Sequence, residues 1–153
     1  MIINRLKYFS KNNLVKSKLL KEIFDRCAAA ILLLLLLAIF IIISICIRLD
    51  SKGPIFFIQN RVGKDKKNFK IYKFRTMVKD AEKMDKFDLE SNDKRITRVG
   101  KIIREWSIDE LPQLINILKG DMSFIGPRPT LLYQVEKYDQ FQLRRLEFKP
   151  GLT

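Results

Sequence analysis

The sequence predicts a helix-rich α/β domain attached to a membrane, with an N-terminal hydrophobic helix that re-enters or spans the bilayer and a small sheet. Three observations predict this fold class. An uncharged stretch of 21 residues fills positions 27–47. One segment of the 106 residues that follow has the alternation of a β-strand, and several others have apolar residues at helical spacing.

The composition excludes several kinds of catalytic site. The chain of 153 residues contains no histidine, which removes Ser-His-Asp triads, Cys-His pairs and imidazole metal sites. Its two cysteines, Cys27 and Cys46, both lie in the hydrophobic stretch. On a helix they would be about 28 Å apart, too far for a disulfide or a zinc site. Catalysis must therefore draw on carboxylates, hydroxyls, lysine and arginine, with or without a hard metal ion.

The hydrophobic stretch is long enough for a bilayer. As a helix, residues 27–47 would measure about 31 Å, against a hydrocarbon core of about 30 Å. The stretch begins too late and runs too long for a secretory signal peptide, and Arg48-Leu49-Asp50 follows it in place of a cleavage site. We therefore expect a membrane-inserted helix over 27–47.

Basic residues flank this helix on both sides. The arm 1–26 has a net charge of +5 and residues 48–75 have +7, whereas residues 76–153 have only +1. A spanning helix usually carries its basic residues on one side, so the charges favour a helix that returns to the side it entered. The stretch has no proline or glycine to break it, however, so a spanning helix stays open. Residues 48–153 are predicted to form a cytoplasmic catalytic domain, whose near-neutral C-terminal half argues against nucleic-acid binding.

The elements of this domain follow in order. A turn is predicted at 51–54, followed by a short strand or membrane-interface anchor at 55–58, a loop at 61–64, a strand at 69–77 and a polar helix at 78–88. A helix at 97–106 would bury Val99, Ile102, Ile103 and Trp106. A helix at 107–119 ends at Gly120, and a turn at 126–129, a helix over 131–145 and a final turn at 149–153 complete the chain.

Two cations lie on one face of the predicted strand 69–77. Lys73 and Arg75 are two positions apart, which places them roughly 7 Å apart along a strand. At that spacing they could hold a diphosphate. The alternative is a solvated basic edge strand.

Adjacent acids stand at the start of the predicted helix 107–119. In one interpretation Ser107 caps the helix and Glu110 reaches back to it, but this register puts Pro112 where a backbone donor is needed. A start at Asp109 places Pro112 in the first turn. Neighbouring helical residues point about 100° apart. Side chains that diverge in this way do not share a proton as a carboxylate dyad does. Separate roles therefore suit the acids: one carboxylate could attack phosphorus while its neighbour holds Mg²⁺.

A second candidate is Arg128, which lies between Pro127 and Pro129. The prolines restrict its backbone, so its guanidinium would lose little entropy on binding two phosphate oxygens. An ordinary exposed loop is the alternative. Arg104, five residues before Asp109, could reach the same anion.

Taken together, these segments resemble the bacterial sugar transferases, the monotopic polyprenyl-phosphate phosphoglycosyl transferases. The resemblance covers about residues 21–153. It is carried by Phe24-Asp25, LDSKGPIFFIQNRVGK (49–64), KFRTM (73–77), RITRVGKIIREWSIDELPQLINILKGDMSFIGPRP (95–129) and KPGLT (149–153).

The resemblance implies a two-step reaction. Asp109 matches the nucleophile that attacks the sugar-bearing phosphate of a UDP-sugar and releases UMP, after which a membrane polyprenyl phosphate takes the phosphosugar. Glu110 matches the acid associated with Mg²⁺. The remaining matches are to substrate-binding residues: Arg104 to a phosphate-contacting arginine, Arg128 with Pro127 and Pro129 to the nucleotide-binding loop, and Lys73 and Arg75 to a motif near the site.

The same resemblance implies a place in the cell. The expected location is the cytoplasmic face of a bacterial inner membrane, and a homo-oligomer is left open. Relatives with a re-entrant helix carry Ser-Pro where this chain has Leu37-Ala38, and they continue beyond the turn that ends at Thr153. From these departures we expect a C-terminally incomplete domain, and an inactive remnant that docks on a membrane or a partner is the alternative function.

Overall fold

The computed structural model describes residues 2–81 and 93–152, with side chains from residue 16 onward. The elements in chain order are α1 (Ile2–Leu35), α2 (Leu37–Asp50), β1 (Phe56–Val62), β2 (Asn68–Phe74), α3 (Arg98–Glu105), α4 (Gln113–Lys119), α5 (Leu132–Val135) and α6 (Gln140–Leu143). Short 3-10 turns lie at Lys64–Lys66, Ile108–Glu110 and Arg144–Glu147. The helix-rich character and the small sheet agree with the prediction.

The hydrophobic stretch lies in two helices instead of one. The helical path runs from Ile2 to Asp50 and breaks at Leu36, where α1 and α2 meet at a bend of 62°. The break immediately precedes Leu37-Ala38, and it contains neither proline nor glycine. In the part of the chain with described side chains, no single helix is long and apolar enough to cross a membrane. Residues 16–50 reach that length and apolarity only as a bent pair.

Packing explains where the path bends. Residues before the break contact one core cluster, which consists of Ala29, Leu33, Leu36, Phe69, Ile71, Leu114, Ile117, Met122, Phe124 and Leu152. Residues after the break contact another, which consists of Phe40, Ile43, Ile47, Ile55, Phe56, Phe74, Val99, Ile103 and Ile108. With the bend, each half of the path packs against its own cluster, and the burial of this apolar surface favours the bent arrangement.

The strands form an antiparallel hairpin in which Phe57 pairs with Lys73 and Arg61 with Phe69. Paired residues share a face, so Phe57, Arg61 and Lys73 project to the same side. Strand β1 corrects the prediction of a loop at 61–64, because Arg61 and Val62 belong to the strand. Strand β2 ends at Phe74, which leaves Arg75 beyond it.

An amide side chain joins the hairpin to α4. Asn116 is fully buried; its side-chain nitrogen donates to Lys70 O at 2.7 Å, and its oxygen accepts from Tyr72 N at 3.1 Å. These two bonds satisfy backbone groups at the free edge of β2 as a third strand would. The face of α4 is thereby held in register with the hairpin.

Helix α3 confirms the predicted helix at 97–106, and Thr97 caps it by accepting from Gly100 N. Its buried side is narrower than predicted. Ile103 is buried, whereas Ile102 is 60% and Trp106 73% exposed. The reason is that α3 packs against α2 and the end of β2 through a single stripe, on which Gly100 lies against the backbone of Thr76.

Two predicted helices are interrupted. The segment 107–119 consists of a left-handed residue, a 3-10 turn and α4, which ends as predicted at Gly120 with φ 88°. The segment 131–145 consists of α5, α6 and the start of a 3-10 turn. The predicted helix at 78–88 lies largely outside the described residues.

The predicted turn at 149–153 packs against the loop before Arg128. Ser123 N donates to Pro150 O at 2.9 Å and Leu152 N to Ser123 O at 3.1 Å. The backbones of Gly126 and Gly151 approach so closely that a side chain on either would clash. Ser123 also donates to the buried carboxylate of Asp25 at 2.7 Å, which ties α1 to this loop.

Candidate functional site

The two adjacent acids lie on a sharp elbow between α3 and α4. Ser107 adopts left-handed backbone angles (φ 54°, ψ 21°), and Asp109 and Glu110 follow in a 3-10 turn. The Ser107 side chain makes no capping bond, so the prediction of a capping box is wrong. Pro112 stands at the N-cap of α4, where a backbone N–H would have no acceptor within the helix, so the proline loses no hydrogen bond there. The elbow thus leaves both carboxylates available for other contacts.

Asp109 lies on the wall of a cavity of about 450 Å³. Arg104 and Lys73 line the same cavity, together with apolar residues that include Phe57 and Phe74. Burial raises the pKa of the Asp109 carboxyl, while the nearby positive charge of Lys73 opposes that rise. A carboxylate in this position is partly stripped of water and faces two cations.

Glu110 points into a neighbouring, smaller pocket. Its Oε1 accepts from Lys73 Nζ at 2.6 Å and from Arg128 Nη2 at 3.3 Å. Only about a fifth of the Lys73 and Glu110 side chains is exposed, whereas Arg128 is 77% exposed. The well-defined contact is therefore the one with Lys73, and Arg128 lies at the rim with room to meet a ligand.

Five of the charged residues predicted from sequence gather around the two cavities, which Arg75 and Pro129 also line. Asp109, Arg104 and Lys73 share the large cavity, and Lys73, Glu110 and Arg128 share the smaller pocket. Lys73 thus belongs to both groups. Arg104 is held by a 2.7 Å bond from Nε to Thr76 Oγ1, which leaves its terminal nitrogens directed elsewhere.

The two prolines beside Arg128 occupy different environments. Pro129 is buried and lines the smaller pocket with Arg128. Pro127 is half-buried and does not line the smaller pocket, and its carbonyl accepts from Gly151 N at 3.0 Å. The predicted turn at 126–129 is therefore pinned at both ends, which limits the movement of Arg128.

Arg75 is turned away from the acids. It lines the large cavity, but its guanidinium donates to Lys52 O at 2.9 Å and to Ser51 O and Oγ at 2.7 and 2.8 Å, just beyond the C-terminus of α2. The residue is buried, and burial lowers the pKa of this guanidinium. These contacts join the end of α2 to the end of β2.

Sequence reasoning missed Arg61. This residue lines both cavities, as Lys73 does, and its side chain shares the face of the hairpin with Lys73. The signal was present in the alternation of residues 57, 59 and 61, which continues the strand pattern begun at 55. The polar neighbours after Val62 led to the prediction of a loop instead.

The donor set suits a Mg²⁺ ion that a phosphate helps to bind. Among the described residues, no three acids, cysteines or histidines gather at one point. Magnesium needs only one or two protein carboxylates when phosphate oxygens and water complete its shell. Both ion pairs of Glu110 use Oε1, so its Oε2 is engaged by neither. Glu110 therefore fits as a protein ligand of a substrate-borne ion.

Comparison with known proteins identifies relatives over most of the chain. The family described as bacterial sugar transferase matches residues 16–153. A UDP-N-acetylgalactosamine-undecaprenyl-phosphate N-acetylgalactosaminephosphotransferase of Aeromonas hydrophila is 43% identical over 88% of this chain. The uncharacterized sugar transferase EpsL of Bacillus subtilis is 45% identical over 88% of it. A UDP-glucose:undecaprenyl-phosphate glucose-1-phosphate transferase of Escherichia coli is 40% identical over 90%.

These relatives are longer proteins. The matched regions cover 32%, 66% and 30% of the Aeromonas, Bacillus and Escherichia proteins, respectively. The match includes the hydrophobic helices and the elbow that carries the two acids.

Proposed function

Because the chain belongs to the bacterial sugar transferase family, we propose that it moves a sugar-1-phosphate from a UDP-sugar to a polyprenyl phosphate in the membrane. Asp109 is the proposed nucleophile. The observation that carries this proposal is the position of its carboxylate, which is half-buried on the wall of a large cavity beside Lys73 and Arg104.

The first step forms a bond between a carboxylate oxygen of Asp109 and the sugar-bearing phosphorus of the donor. The bond from that phosphorus to the bridging oxygen breaks, and UMP leaves with the electron pair. Partial burial supports this role, because a carboxylate that has lost part of its water shell is a better nucleophile. Arg104 and Lys73 offset the charge of the transferring phosphoryl group.

The second step regenerates the carboxylate. A phosphate oxygen of the polyprenyl phosphate attacks the phosphorus of the aspartyl-phosphosugar, and the bond to Asp109 breaks. The product is a polyprenyl diphosphate sugar, and no proton has to be removed from either nucleophile. A chain without histidine can therefore complete both steps with carboxylate and phosphate alone.

Glu110 is the proposed ligand of Mg²⁺. When bound, the ion would supply positive charge to the diphosphate of the donor. Glu110 is held in place by Lys73, whose ammonium lies 2.6 Å from Oε1. Arg128 at the rim is free to contact the uridine phosphate, since only one of its nitrogens reaches Glu110.

The bent helices are proposed to insert into the cytoplasmic leaflet of a bacterial inner membrane. Many apolar side chains of α1 and α2 are exposed, among them Ile31, Leu34, Leu35, Ile41, Ile42 and Ile45. Such a surface is stable in lipid but costly in water. The basic segments on both sides of the bend suit an anionic membrane face, which keeps both ends of the helix pair on one side.

A membrane preparation of the chain tests the proposal. Incubation with Mg²⁺ and UDP-N-acetylgalactosamine or UDP-glucose should release UMP and add the mass of one phosphosugar to the protein at Asp109. Asp109→Asn should lower UMP release by more than about 1,000-fold, because the nucleophile is gone. Asp121→Asn makes the same chemical change outside both cavities and should retain activity.

Three outcomes would contradict the proposal in different ways. UMP release that persists in Asp109→Asn would remove this residue as the nucleophile. A phosphosugar found on another side chain would move the reaction elsewhere. Neither UMP nor an adduct from the unchanged chain, despite its insertion into membranes, would favour the inactive docking protein.

A further inference from the structure

The junction between the two cavities contains a cation that the proposed reaction has not yet used. Arg61 is the penultimate residue of β1, and its side chain lines both the large cavity with Asp109 and the smaller pocket with Glu110. Lys73 also lines both cavities, but it is paired with Glu110 at 2.6 Å. Arg61 is the junction residue whose charge is not neutralised by such a pair.

The hydrogen bonds of Arg61 leave much of its donor capacity unused. Nη2 donates to Gln59 Oε1 at 2.8 Å, and Nη1 makes a long contact of 3.5 Å with Pro129 O. Its Nε is buried and has no partner among the described residues. Burial lowers the pKa of this guanidinium, and the neighbouring charge of Arg128 lowers it further.

An arrangement of this kind is costly without an anion. Arg61 is half-buried, and its buried Nε has lost its hydration without gaining a protein partner, while a second arginine nearby adds repulsion. In the part of the chain that the structure describes, no carboxylate lies within ion-pair distance of Arg61. An anion with several oxygens at the junction would offset this desolvation and repulsion, because a guanidinium binds two oxygens at once.

The charge around the junction identifies the class of anion. Six cationic side chains line the two cavities (Arg61, Lys73, Arg75, Lys79, Arg104 and Arg128), against three acidic ones (Asp80, Asp109 and Glu110). This excess of positive charge matches a dianion better than a neutral group. The two cavities share Arg61 and Lys73 in their linings, so a ligand with two phosphoryl groups can place one in the large cavity and the other at the rim of the smaller pocket.

We propose that Arg61 binds the diphosphate of the nucleotide sugar at the junction of the two cavities, and that it stabilises the negative charge of the departing uridine phosphate. This inference rests on the proposed function. It places the sugar-bearing phosphate in the large cavity beside Asp109 and the uridine-bearing phosphate beside Arg128 at the rim of the smaller pocket. A free polyprenyl phosphate has one phosphoryl group, so binding of UDP without the acceptor reports the diphosphate contact alone.

Binding of UDP by the purified chain tests this assignment without turnover. Arg61→Gln should weaken UDP binding by about 10-fold or more, which is the usual loss for a charge-assisted bidentate contact. Arg61→Lys keeps the charge but loses the planar group that binds two oxygens, so it should bind UDP with intermediate affinity. Arg144→Gln removes an exposed arginine outside both cavities and should bind UDP as the unchanged chain does.

The first half-reaction separates the donor from the acceptor. Without polyprenyl phosphate, Arg61→Gln should form the Asp109 adduct at least 10-fold more slowly. A defect that appears only when the acceptor is added would overturn the inference, as would unchanged UDP affinity in Arg61→Gln. In both cases UMP release by the unchanged chain would leave the proposed function standing. If the unchanged chain neither binds UDP nor releases UMP, both proposals fail.

A measurement on the unchanged chain tests the assignment even if the Arg61 variants do not fold. Phenylglyoxal modifies accessible arginines, and peptide mass spectrometry reports each position separately. Saturating UDP should slow modification of Arg61 and leave Arg144 unaffected. Equal modification of Arg61 with and without UDP would overturn the assignment.

Discussion

The bend in the hydrophobic helices and the elbow that carries the two acids are both interruptions of a helix predicted from sequence, and they have different causes. At the bend, around Leu36, an apolar helix turns by 62° with neither proline nor glycine nearby. At the elbow, from Ser107 to Pro112, the chain turns through a left-handed serine and a proline that cannot donate a hydrogen bond. Local chemistry explains the elbow, whereas only packing explains the bend.

The contrast shows what each interruption contributes. The bend lies between two core clusters and lets one hydrophobic stretch contact both. The elbow holds two charged side chains at the mouths of adjacent cavities. The bend thus contributes to the packing of the fold, whereas the elbow positions the reactive side chains. Substitutions at the bend should change stability, and substitutions at the elbow should change the proposed activity.

The largest effect on stability is expected from a proline placed away from the bend. Ile42→Pro should lower the free energy of unfolding by about 3 kcal/mol or more, because it removes a hydrogen bond inside α2 and clashes with the preceding turn. Ile42 is 60% exposed, so little packing is lost. Thermal unfolding in detergent micelles measures the difference.

Ala38→Pro is the matched control for this prediction. Ala38 lies in the first turn of α2, where backbone donors lack a helical partner, so the change should stay within about 1 kcal/mol. A loss as large as that of Ile42→Pro would mean that the path is continuous at Leu36. The bend would then have to be abandoned.

A smaller loss is expected where α2 joins the hairpin. Arg75→Met should lower the free energy of unfolding by about 2 kcal/mol, because the bonds to Ser51 and Lys52 disappear. Chemical denaturation measures this loss, with Lys52→Met as a control at a neighbouring exposed residue. If Arg75→Met instead raised the KM for the UDP-sugar and left stability unchanged, Arg75 would be a substrate ligand.

The smallest stability change is expected at the elbow, and it has the opposite sign. Burial raises the pKa of Asp109, so the ionised carboxylate weakens the folded state at neutral pH. The stabilising contribution of the protonated form is complete below the pKa of a free aspartate, about 3.9, and is lost as pH rises through the folded-state value. Asp109→Asn should therefore raise the melting temperature at neutral pH, although it abolishes the proposed transfer.

The pH series gives this prediction its control. The gain from Asp109→Asn should shrink as the pH falls toward 4, because the carboxyl of the unchanged chain then becomes neutral as well. Asp121→Asn reports the general effect of exchanging a carboxylate for an amide. A gain that does not vary with pH would show that burial of charge at the elbow is not its cause.

Local signals in the sequence predicted much of the fold. Gly120 ends α4 as predicted, and the helix predicted at 97–106 is α3. The strand around Ile71 was predicted to within a few residues. The prediction was wrong for Trp106, because apolar spacing marks a stripe on a helix but does not show how wide a stripe its partner covers.

The candidate site was predictable in its membership but not in its arrangement. The acids at 109 and 110 and the cations at 73, 104 and 128 were all identified from residue type and spacing, and the structure brings them together. The sequence could not show that Lys73 pairs with Glu110, that Arg75 binds the end of α2 or that Arg61 lies at the junction. Each of these contacts joins residues more than 20 positions apart.

By itself the sequence determined the absence of imidazole chemistry, the apolar stretch with its basic flanks, and the paired acids before Pro112. These features depend on residue type and on near neighbours in the chain, so they do not require knowledge of the fold. Only the tertiary structure decided where the apolar helix bends and which of the chain's many cations face the two acids. Those outcomes depend on which distant surfaces are buried together, and an unfolded chain has no such surfaces.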